Sequence, residues 1–456
     1  MEPGQVAASG RREAALPRMV RIVRHPAEHP LAQANRIAAK FALEPPIEAY
    51  DFPEKGNIHQ HTYLIRAGRG DGASEYILQR LNDQVFTDPR SVMAAMIACV
   101  ESQKAALAMG AIAEETEWEA ISLVPTRGAD PYLEHADRRG PSSWRLMVRI
   151  ADARTYKSLG EIRDATERLR IAEEAGRGLA IYRDLTAGMD VSGLKSPLPG
   201  YRDTRLYYAQ LRSVLAGCRT LVEAASYLPE DPVVRESTQQ HFLIHLPVSD
   251  YEARLRDPEV ERLVELALAH EGFAMALLDE MAAGRIQRVA IHGDTKLDNF
   301  LFSASTGRVK ALVDLDTIMP HTWLVDWGDM VRSLVNVAGE KEPDADKVRV
   351  DSGIYQAVAR GFLKTVRAVT PEEVERMVDA VQIIALELGV RFLADFIRGD
   401  SYFRLGQADP PDLNRTRARV QLTLFERLRE ESAGARRLVA ELAGNRRAAK
   451  TSRRRR

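Results

Sequence analysis

The order of apolar and polar positions divides the chain into a strand-rich first part and a longer helical second part. Five short runs bounded by turn-forming residues predict strands in the first part, at residues 47–52, 62–65, 75–81, 121–125 and 144–150. Between the third and fourth runs, residues 89–109 predict a helix, because Asp88 and Pro89 suit a first turn and apolar residues then recur at helical spacing. Residues 31–41 also have a short helical pattern, so the first part is predicted to combine a sheet with two helices.

From Leu159 onward, apolar residues recur every three to four positions, which is helical spacing. The predicted helices cover residues 165–185, 206–227, 258–283, 354–366, 370–399 and 415–442. The fifth of them begins with a capping threonine, a proline and two glutamates, and it is apolar on nearly every face. A helix of that kind is predicted to be buried.

The change of pattern near residue 151 predicts a boundary between two lobes. The apolar run 144–150 leads into Ala151-Asp152-Ala153, where a hinge would lie. We therefore predict one lobe over residues 27–151 and a helical lobe over residues 152–445. Residues 1–26 have no sustained period and predict a mobile leader, and residues 446–456, which end in four arginines, predict a basic tail.

Composition narrows the class of protein. The chain has 456 residues, 45% of them apolar, a formal net charge of −1 and a pI near 6.8. These values predict a large core and argue against nucleic acid or a membrane surface as the main partner. No apolar run approaches the length that spans a bilayer and no secretory signal is evident, while Cys99 and Cys218 are typical core thiols of a reducing compartment. We therefore expect a cytoplasmic protein.

Candidate chemistry concentrates in one segment, H-G-D-T-K-L-D-N, at residues 292–299. Its H-x-D-x-x-x-x-N layout is typical of a phosphoryl-transfer loop, in which the aspartate accepts the proton of the attacking hydroxyl and the asparagine holds Mg²⁺. Asp294 and Asn299 occupy those positions. Two strand-like runs, 300–302 and 309–315, then predict a hairpin that returns Asp314 to the side of Asn299. A second oxygen ligand there predicts a site for a divalent cation that also contacts ATP phosphates.

Two other stretches each allow two interpretations. Gly56 and Asn57 lie in a small-residue turn, which predicts either a loop over nucleotide phosphates or a plain hairpin turn, since the protein-kinase pattern has three glycines there. Glu387, Arg391 and Asp395 lie four residues apart on the buried helix. They predict either a salt-bridge ladder on an exposed stripe or one wall of a cleft in which Arg391 donates hydrogen bonds to a polyhydroxy substrate. The residues alone leave both choices open.

Four segments carry a resemblance to a known group of enzymes. They are G-N-I-H-Q-H-T-Y-L-I with Y-I-L-Q-R-L-N-D-Q-V-F, H-G-D-T-K-L-D-N, V-D-L-D-T-I-M-P with D-W-G-D, and G-V-R-F-L-A-D-F-I-R-G-D-S-Y-F. On these segments the chain resembles the aminoglycoside phosphotransferase and choline kinase superfamily, and within it the N-acetylhexosamine 1-kinases. The resemblance runs over about residues 56–428. The second segment is common to the superfamily, whereas V-D-L-D-T-I-M-P and R-F-L-A-D are narrower and favour the hexosamine kinases.

The resemblance implies an α+β, protein-kinase-like bilobal fold, with a small antiparallel-sheet N-lobe and a larger, mainly helical C-lobe. It implies ATP and Mg²⁺, and transfer of the γ-phosphoryl group to the anomeric hydroxyl of an N-acetylhexosamine to give the sugar 1-phosphate. The implied partner is a small-molecule sugar, without nucleic acid or membrane, and the protein would be a monomer or homodimer. By position, the resemblance implies that Asp294 is the catalytic base and a substrate contact, that Asn299 and Asp314 bind Mg²⁺, and that Thr317, Arg391 and Tyr402 line the sugar pocket.

The chain departs from the pattern on the nucleotide side. Gln79 and Arg80 occupy the strand position where protein kinases keep a phosphate-binding lysine, and together with Gly56 and Asn57 they are the predicted nucleotide contacts. No glutamate stands early in helix 89–109 as a partner for such a cation.

Two further departures lie near the acceptor, where Gly293 replaces a more usual asparagine and His321 a more usual glycine.

Three alternative functions stay open. One is a kinase of an amine alcohol or antibiotic, which would need an acidic pocket, and a second is a pseudokinase-type binding module. The third is an RNA-binding protein that acts through its arginine tail.

Overall fold

The computed structural model describes residues 29–52, 61–113, 116–137 and 140–454. Its first part is a five-stranded antiparallel sheet with strand order β1-β2-β3-β5-β4. The strands are Ile47–Asp51 (β1), Thr62–Ala67 (β2), Ser74–Arg80 (β3), Leu133–Asp137 (β4) and Gly140–Val148 (β5). The predicted leader, residues 1–26, lies outside the described residues.

A helix covers each face of this sheet. The first, Pro30–Ala38 (α1), packs Ile37 against an apolar cluster that includes Leu78 and Trp144. The second, Pro89–Ala108 (α2), begins as predicted, with the Asp88 carboxylate accepting a hydrogen bond from the Ser91 amide. Met96 of α2 lies 3.3 Å from the Arg145 guanidinium of β5. Gln79 is directly opposite Arg145, and because successive side chains of a strand point to opposite faces, Gln79 also lies on the α2 side of the sheet.

One predicted strand is wrong and one real strand was not predicted. Residues 121–125 form only an isolated bridge, between Leu123 and Met147, and Pro125 in this run has no N–H to contribute to a ladder. The fifth strand of the sheet is β4 instead, at its edge. Its sequence, L-E-H-A-D, has too few apolar residues to produce an alternating signal.

The second part of the molecule is mainly helical. Its helices are Ala165–Thr186 (α3), Thr204–Leu215 (α4), Pro232–Thr238 (α5), Val248–Leu255 (α6), Pro258–Ala269 (α7), Glu271–Ala274 (α8), Ala276–Ala282 (α9), Trp323–Val335 (α10), Ser352–Thr365 (α11), Pro371–Arg398 (α12), Leu413–Glu430 (α13) and Ser432–Arg454 (α14). Helix α12 lies at the centre, in contact with α4, α10, α13 and α14, and is buried along most of its length as predicted. Its N-terminus has the predicted capping box, formed by Thr370 and Glu373.

Three predicted helices are shorter than the apolar spacing suggests. Helix α4 ends at Leu215, and Gly217, with φ of +81°, turns the chain away from the helix axis. The run 258–283 is divided into α7, α8 and α9, and the run 415–442 into α13 and α14. Apolar spacing continues across these breaks because the successive helices pack on the same core.

Two small sheets stand between the helices and carry the predicted chemistry. In one, Ala153–Arg154 (β6), Phe300–Ser303 (β8) and Val309–Leu312 (β9) are adjacent, and in the other Val289–Ile291 (β7) pairs with Met319–His321 (β10). An antiparallel-sheet part and a larger helical part confirm the predicted fold class. Within the described ranges, every helix is too short or too polar to cross a membrane.

Candidate active site

The hairpin β8–β9 places Asp314 beside Asn299, as the sequence predicts. Phe300 pairs with Leu312, and the Val313 amide donates to the Asn299 carbonyl oxygen at 2.9 Å. Asp314 itself takes a left-handed conformation, with φ of 64° and ψ of 55°, and begins the turn at residues 315–317. Asn299 therefore lies opposite Val313, the residue that directly precedes Asp314.

Asp294 stands at the open side of this pair. Its carboxylate is 29% exposed and lies 3.2 Å from the Lys296 ammonium. The Asn299 amide nitrogen donates to the Asp294 carbonyl oxygen at 2.7 Å and to the carboxylate at 3.2 Å. These donors orient the carboxylate without enclosing it, so it can accept a proton from a group that enters from solvent.

Negative charge accumulates around the Asp314 side chain. Burial raises the pKa of Asp314 to about 6, and the carboxylates of Asp316 and Asp294 add to the shift. For Lys296, burial lowers the pKa, but Asp294 and Asp298 outweigh burial and the net shift is upward. A divalent cation would relieve this concentration of carboxylates.

The donor set fits Mg²⁺. Within the described ranges, no group of three or more His, Cys, Asp or Glu side chains is arranged to hold a metal ion alone. Mg²⁺ does not need such a cage, because it is usually bound by one or two carboxylates together with substrate phosphates. The Asp314 carboxylate and the Asn299 amide oxygen are both hard oxygen donors, and the Asn299 amide nitrogen is already used by Asp294.

Two aspartates of the segment V-D-W-G-D, on α10, anchor the loop 292–295 by accepting hydrogen bonds from its backbone amides. The Asp326 carboxylate accepts hydrogen bonds from the amides of His292 and Gly293, at 2.7 and 2.8 Å. The Asp329 carboxylate accepts one from the Thr295 amide at 3.2 Å. Both acids are almost fully buried, so the loop is fixed from the protein interior.

Arg202, which was not predicted from the sequence, holds the same loop from the other side. Its guanidinium donates to the Gly293 carbonyl oxygen at 2.8 and 3.2 Å and forms ion pairs with Asp329 at 3.0 Å and Glu387 at 3.4 Å. The residue is buried, with φ of +62°. It lies in the loop between α3 and α4, where no apolar period marks a buried arginine.

The predicted acceptor residues Arg391 and Tyr402 come together, with the guanidinium donating to the Tyr402 hydroxyl at 3.3 Å. The Arg391 guanidinium carbon lies 4.7 to 5.5 Å from the centres of four aromatic rings, those of Tyr207, Tyr201, Phe403 and Tyr402. We call these five residues the Arg391 cage. The Tyr201 hydroxyl donates to the Gly293 carbonyl oxygen at 2.9 Å, so the cage adjoins the loop that carries Asp294.

The alternative of an exposed salt-bridge ladder on α12 is wrong. The Glu387 side chain is buried and bonds Arg202 and Thr204. The Asp395 carboxylate is also buried and accepts hydrogen bonds from the amides of Tyr402 and Phe403, at 2.9 and 2.7 Å. Both acids thus have their own partners and leave Arg391 to the aromatic rings.

The two acceptor-side departures have local explanations. Gly293 has φ of +85°, and a Cβ atom there would lie 2.8 Å from the Thr317 carbonyl oxygen. Thr317 in turn donates its hydroxyl to the His292 carbonyl oxygen at 2.6 Å, so its side chain contacts the loop. His321 is buried between the Arg202 carbonyl oxygen at 3.2 Å and the Thr322 amide at 2.9 Å.

The predicted nucleotide contacts are only partly assembled. Gly56 and Asn57 lie outside the described residues. Gln79 faces the interior between sheet and hairpin and accepts hydrogen bonds from Arg145 on β5. Arg80 lies on the opposite face of β3, at 3.1 Å from the Asp83 carboxylate, and the structure does not bring it to the cluster.

His321 makes stability depend on pH. Burial lowers its pKa from 6.5 to about 4, and the neutral ring uses both nitrogens, accepting from Thr322 and donating to Arg202. From pH 6.5 down to about 4, the unfolded chain takes up a proton there that the folded chain does not. Stability present above pH 6.5 is therefore lost over this interval, by up to about 3 kcal/mol. In urea unfolding, the free energy of unfolding of the His321→Gln variant should fall less steeply over this pH interval than that of wild type. Substitution of the exposed His245 is the control and should leave the wild-type pH dependence unchanged. Parallel pH profiles for wild type and His321→Gln would contradict this prediction.

Comparison with known proteins agrees with this geometry. The profile of the phosphotransferase enzyme family matches residues 53–362, more than half of the chain. A microcompartment-associated aminopropanol kinase is similar in structure, with 12% identity over 89% of this chain and 98% of that chain and a TM-score of 0.52. The choline kinase LicA from Streptococcus pneumoniae is similar with 10% identity over 87% and 98% and a TM-score of 0.40.

At these identities the solved structures compare folds, and the aminopropanol kinase shares the fold of this chain. The family profile includes the loop 292–299, the hairpin β8–β9 and the V-D-W-G-D segment. The predicted superfamily is thereby confirmed, without a distinction among its acceptor classes. The chain belongs to the phosphotransferase enzyme family.

Proposed function

We propose that the protein is an ATP- and Mg²⁺-dependent kinase that phosphorylates the anomeric hydroxyl of an N-acetylhexosamine or a related sugar. The observation that carries the acceptor class is the Arg391 cage, a cation among aromatic rings beside the loop of Asp294. The alternatives of an amine-alcohol or antibiotic kinase and of a binding module are outcomes of the test below.

The proposed chemistry is positioning and charge neutralisation. The Asp294 carboxylate accepts the proton of the acceptor hydroxyl as the hydroxyl oxygen bonds to the γ-phosphorus, and the bond from the γ-phosphorus to the bridging oxygen breaks to release ADP. Asn299 and Asp314 would hold Mg²⁺, which neutralises phosphate charge. Lys296, 3.2 Å from Asp294, adds a positive charge at the same opening. The partial exposure of the Asp294 side chain supports this role, because the acceptor must reach it from solvent.

The charge of the cage argues for a neutral acceptor. Within the described part of the chain, Arg391 has no carboxylate as an ion-pair partner, and the groups around it are aromatic. An ammonium group about 5 Å from this guanidinium would be repelled by about 3 kcal/mol at an effective dielectric constant near 20. A sugar avoids this cost, since its hydroxyl and acetamido oxygens accept hydrogen bonds from Arg391 and its ring face packs on tyrosine.

The proposal is tested by coupled ADP release with ATP and Mg²⁺ across N-acetylhexosamines, hexoses, choline, aminopropanol and aminoglycosides. We expect turnover with an N-acetylhexosamine and a product in which phosphate is on the anomeric oxygen, which phosphorus NMR identifies. Turnover confined to the amines would establish the amine-kinase alternative. ADP binding without turnover of any acceptor would favour a binding module.

Replacing Arg391 should separate acceptor binding from nucleotide binding. The Arg391→Gln variant loses the charge-assisted hydrogen bonds that Arg391 donates to the sugar oxygens. The KM for sugar should therefore rise about tenfold or more, while the KM for ATP stays within about twofold. The matched control is Arg429→Gln, because Arg429 also stacks on two aromatic rings, Phe273 and Phe425, but is exposed on α13. An unchanged KM for sugar in Arg391→Gln would contradict the acceptor assignment.

A further inference from the structure

A buried ion pair joins the five-stranded sheet to the turn that presents Asp314. Arg145 on β5 and Asp316 have side chains only 2% and 3% exposed. The guanidinium makes two parallel contacts with the Asp316 carboxylate, one of them from Nη2 at 3.0 Å. Such a two-point arginine–carboxylate contact fixes orientation as well as distance.

The position of Arg145 is set by the register of the sheet. It lies directly opposite Gln79, and its Nε donates to the Gln79 side-chain oxygen at 3.0 Å. Gln79 occupies the strand position where protein kinases carry the phosphate-binding lysine. The positively charged side chain at this place in the fold is therefore Arg145 of the neighbouring strand, and Gln79 orients its guanidinium.

The turn at residues 315–317 connects the sheet region to Asp314. It packs against α2, which covers the sheet, and it follows directly on Asp314 in its left-handed conformation. Asp316 lies two residues beyond Asp314, so a displacement of Asp316 is transmitted to Asp314 through a short, constrained segment. No other side chain of the turn forms an ion pair with the sheet in the described part of the chain.

We propose that the Arg145–Asp316 ion pair is the positioning device that holds Asp314 in place for the metal–nucleotide complex. Protein kinases instead rely on an ion pair between a strand lysine and a helix glutamate, which must be in place for catalysis. The inference rests on the proposed function only for its ligand, a Mg²⁺-bound nucleoside diphosphate. Arg145 acts through Asp316 and is a positioning residue, not a catalytic one.

The experiment measures the affinity of the full-length protein for ADP by calorimetry, in excess Mg²⁺ and in EDTA. The variants are Arg145→Gln, Asp316→Asn and the double variant. We expect each single variant to weaken ADP binding in Mg²⁺ about tenfold or more, because one buried charge loses its partner, and to change binding in EDTA less than about threefold. The double variant should bind no more weakly than the weaker single variant, since both changes remove the same interaction.

Arg149→Gln is the matched control, because Arg149 follows β5 and pairs with Glu75 of β3 at the sheet surface. Unchanged affinity in Arg145→Gln and Asp316→Asn would overturn the inference, and so would an equal loss in Mg²⁺ and EDTA, which would mean direct contact between Arg145 and phosphate. If a single variant does not fold, the double variant and Arg145→Lys carry the test. The lysine keeps the charge without the planar fork, so an affinity between those of wild type and the double variant supports the inference and an affinity equal to wild type overturns it.

The wild-type protein separates this inference from the proposed function. Absence of Mg²⁺-dependent ADP binding in the wild type would overturn both. Tight Mg²⁺-dependent binding without sugar turnover would overturn the proposed function alone, and the variants would then decide the inference on affinity.

Discussion

The Asp294→Asn variant is expected to lose about three orders of magnitude in kcat for sugar phosphorylation. The amide keeps the size of the side chain and can still contact Asn299, but it cannot accept the proton of the acceptor hydroxyl. Binding of ADP in Mg²⁺ should stay within about twofold of wild type, because the nucleotide is held by other groups. Single-turnover kinetics with ATP and calorimetry with ADP measure the two quantities separately.

Asp298→Asn is the control for loss of a carboxylate from the same loop. Asp298 lies 3.9 Å from the Lys296 ammonium and is 42% exposed, so its charge is near the site but is screened by solvent. We expect less than about a fivefold change in kcat for this variant. If Asp294→Asn keeps more than about a tenth of wild-type turnover, the assignment of Asp294 as general base is wrong.

The Asp314→Asn variant is expected to lose the Mg²⁺ dependence of nucleotide binding. Removal of an outer-shell partner of a metal ligand typically costs 10- to 100-fold in metal affinity, so loss of the charged ligand itself should cost at least about 100-fold. ADP affinity in excess Mg²⁺ should then fall to the value measured in EDTA. The physical cause is the hairpin, which brings the Asp314 carboxylate next to Asn299, the second predicted metal ligand.

The EDTA measurement is the internal control for Asp314→Asn. Affinity in EDTA should be unchanged or slightly higher, because the variant removes a negative charge that repels phosphate. An Mg²⁺ response equal to that of wild type would show that Asp314 is not a metal ligand. Loss of binding under both conditions, with a lower unfolding temperature, would instead indicate a structural defect of the turn.

The residues of the acceptor pocket were only partly predictable. Arg391 and Tyr402 are eleven positions apart, and the stop of α12 at Gly399 brings them together through local geometry. Tyr201 and Tyr207, which complete the cage, are nearly two hundred positions away and precede or begin α4. An aromatic residue in such a segment more often packs in the hydrophobic core than around an arginine, so the sequence does not predict this contact with Arg391.

The sequence by itself determined the loop 292–299, the hairpin β8–β9 and the buried helix α12. In each case the signal is local, since a turn and a strand register return Asp314 to Asn299, and a capped apolar segment has to be buried. Only the tertiary structure decided that Arg145 pairs with Asp316 and that Arg202 holds Gly293, over separations of 171 and 91 residues. The physical reason is that a charged side chain is buried only where a distant partner offsets its desolvation, and no apolar period along the chain records that partner.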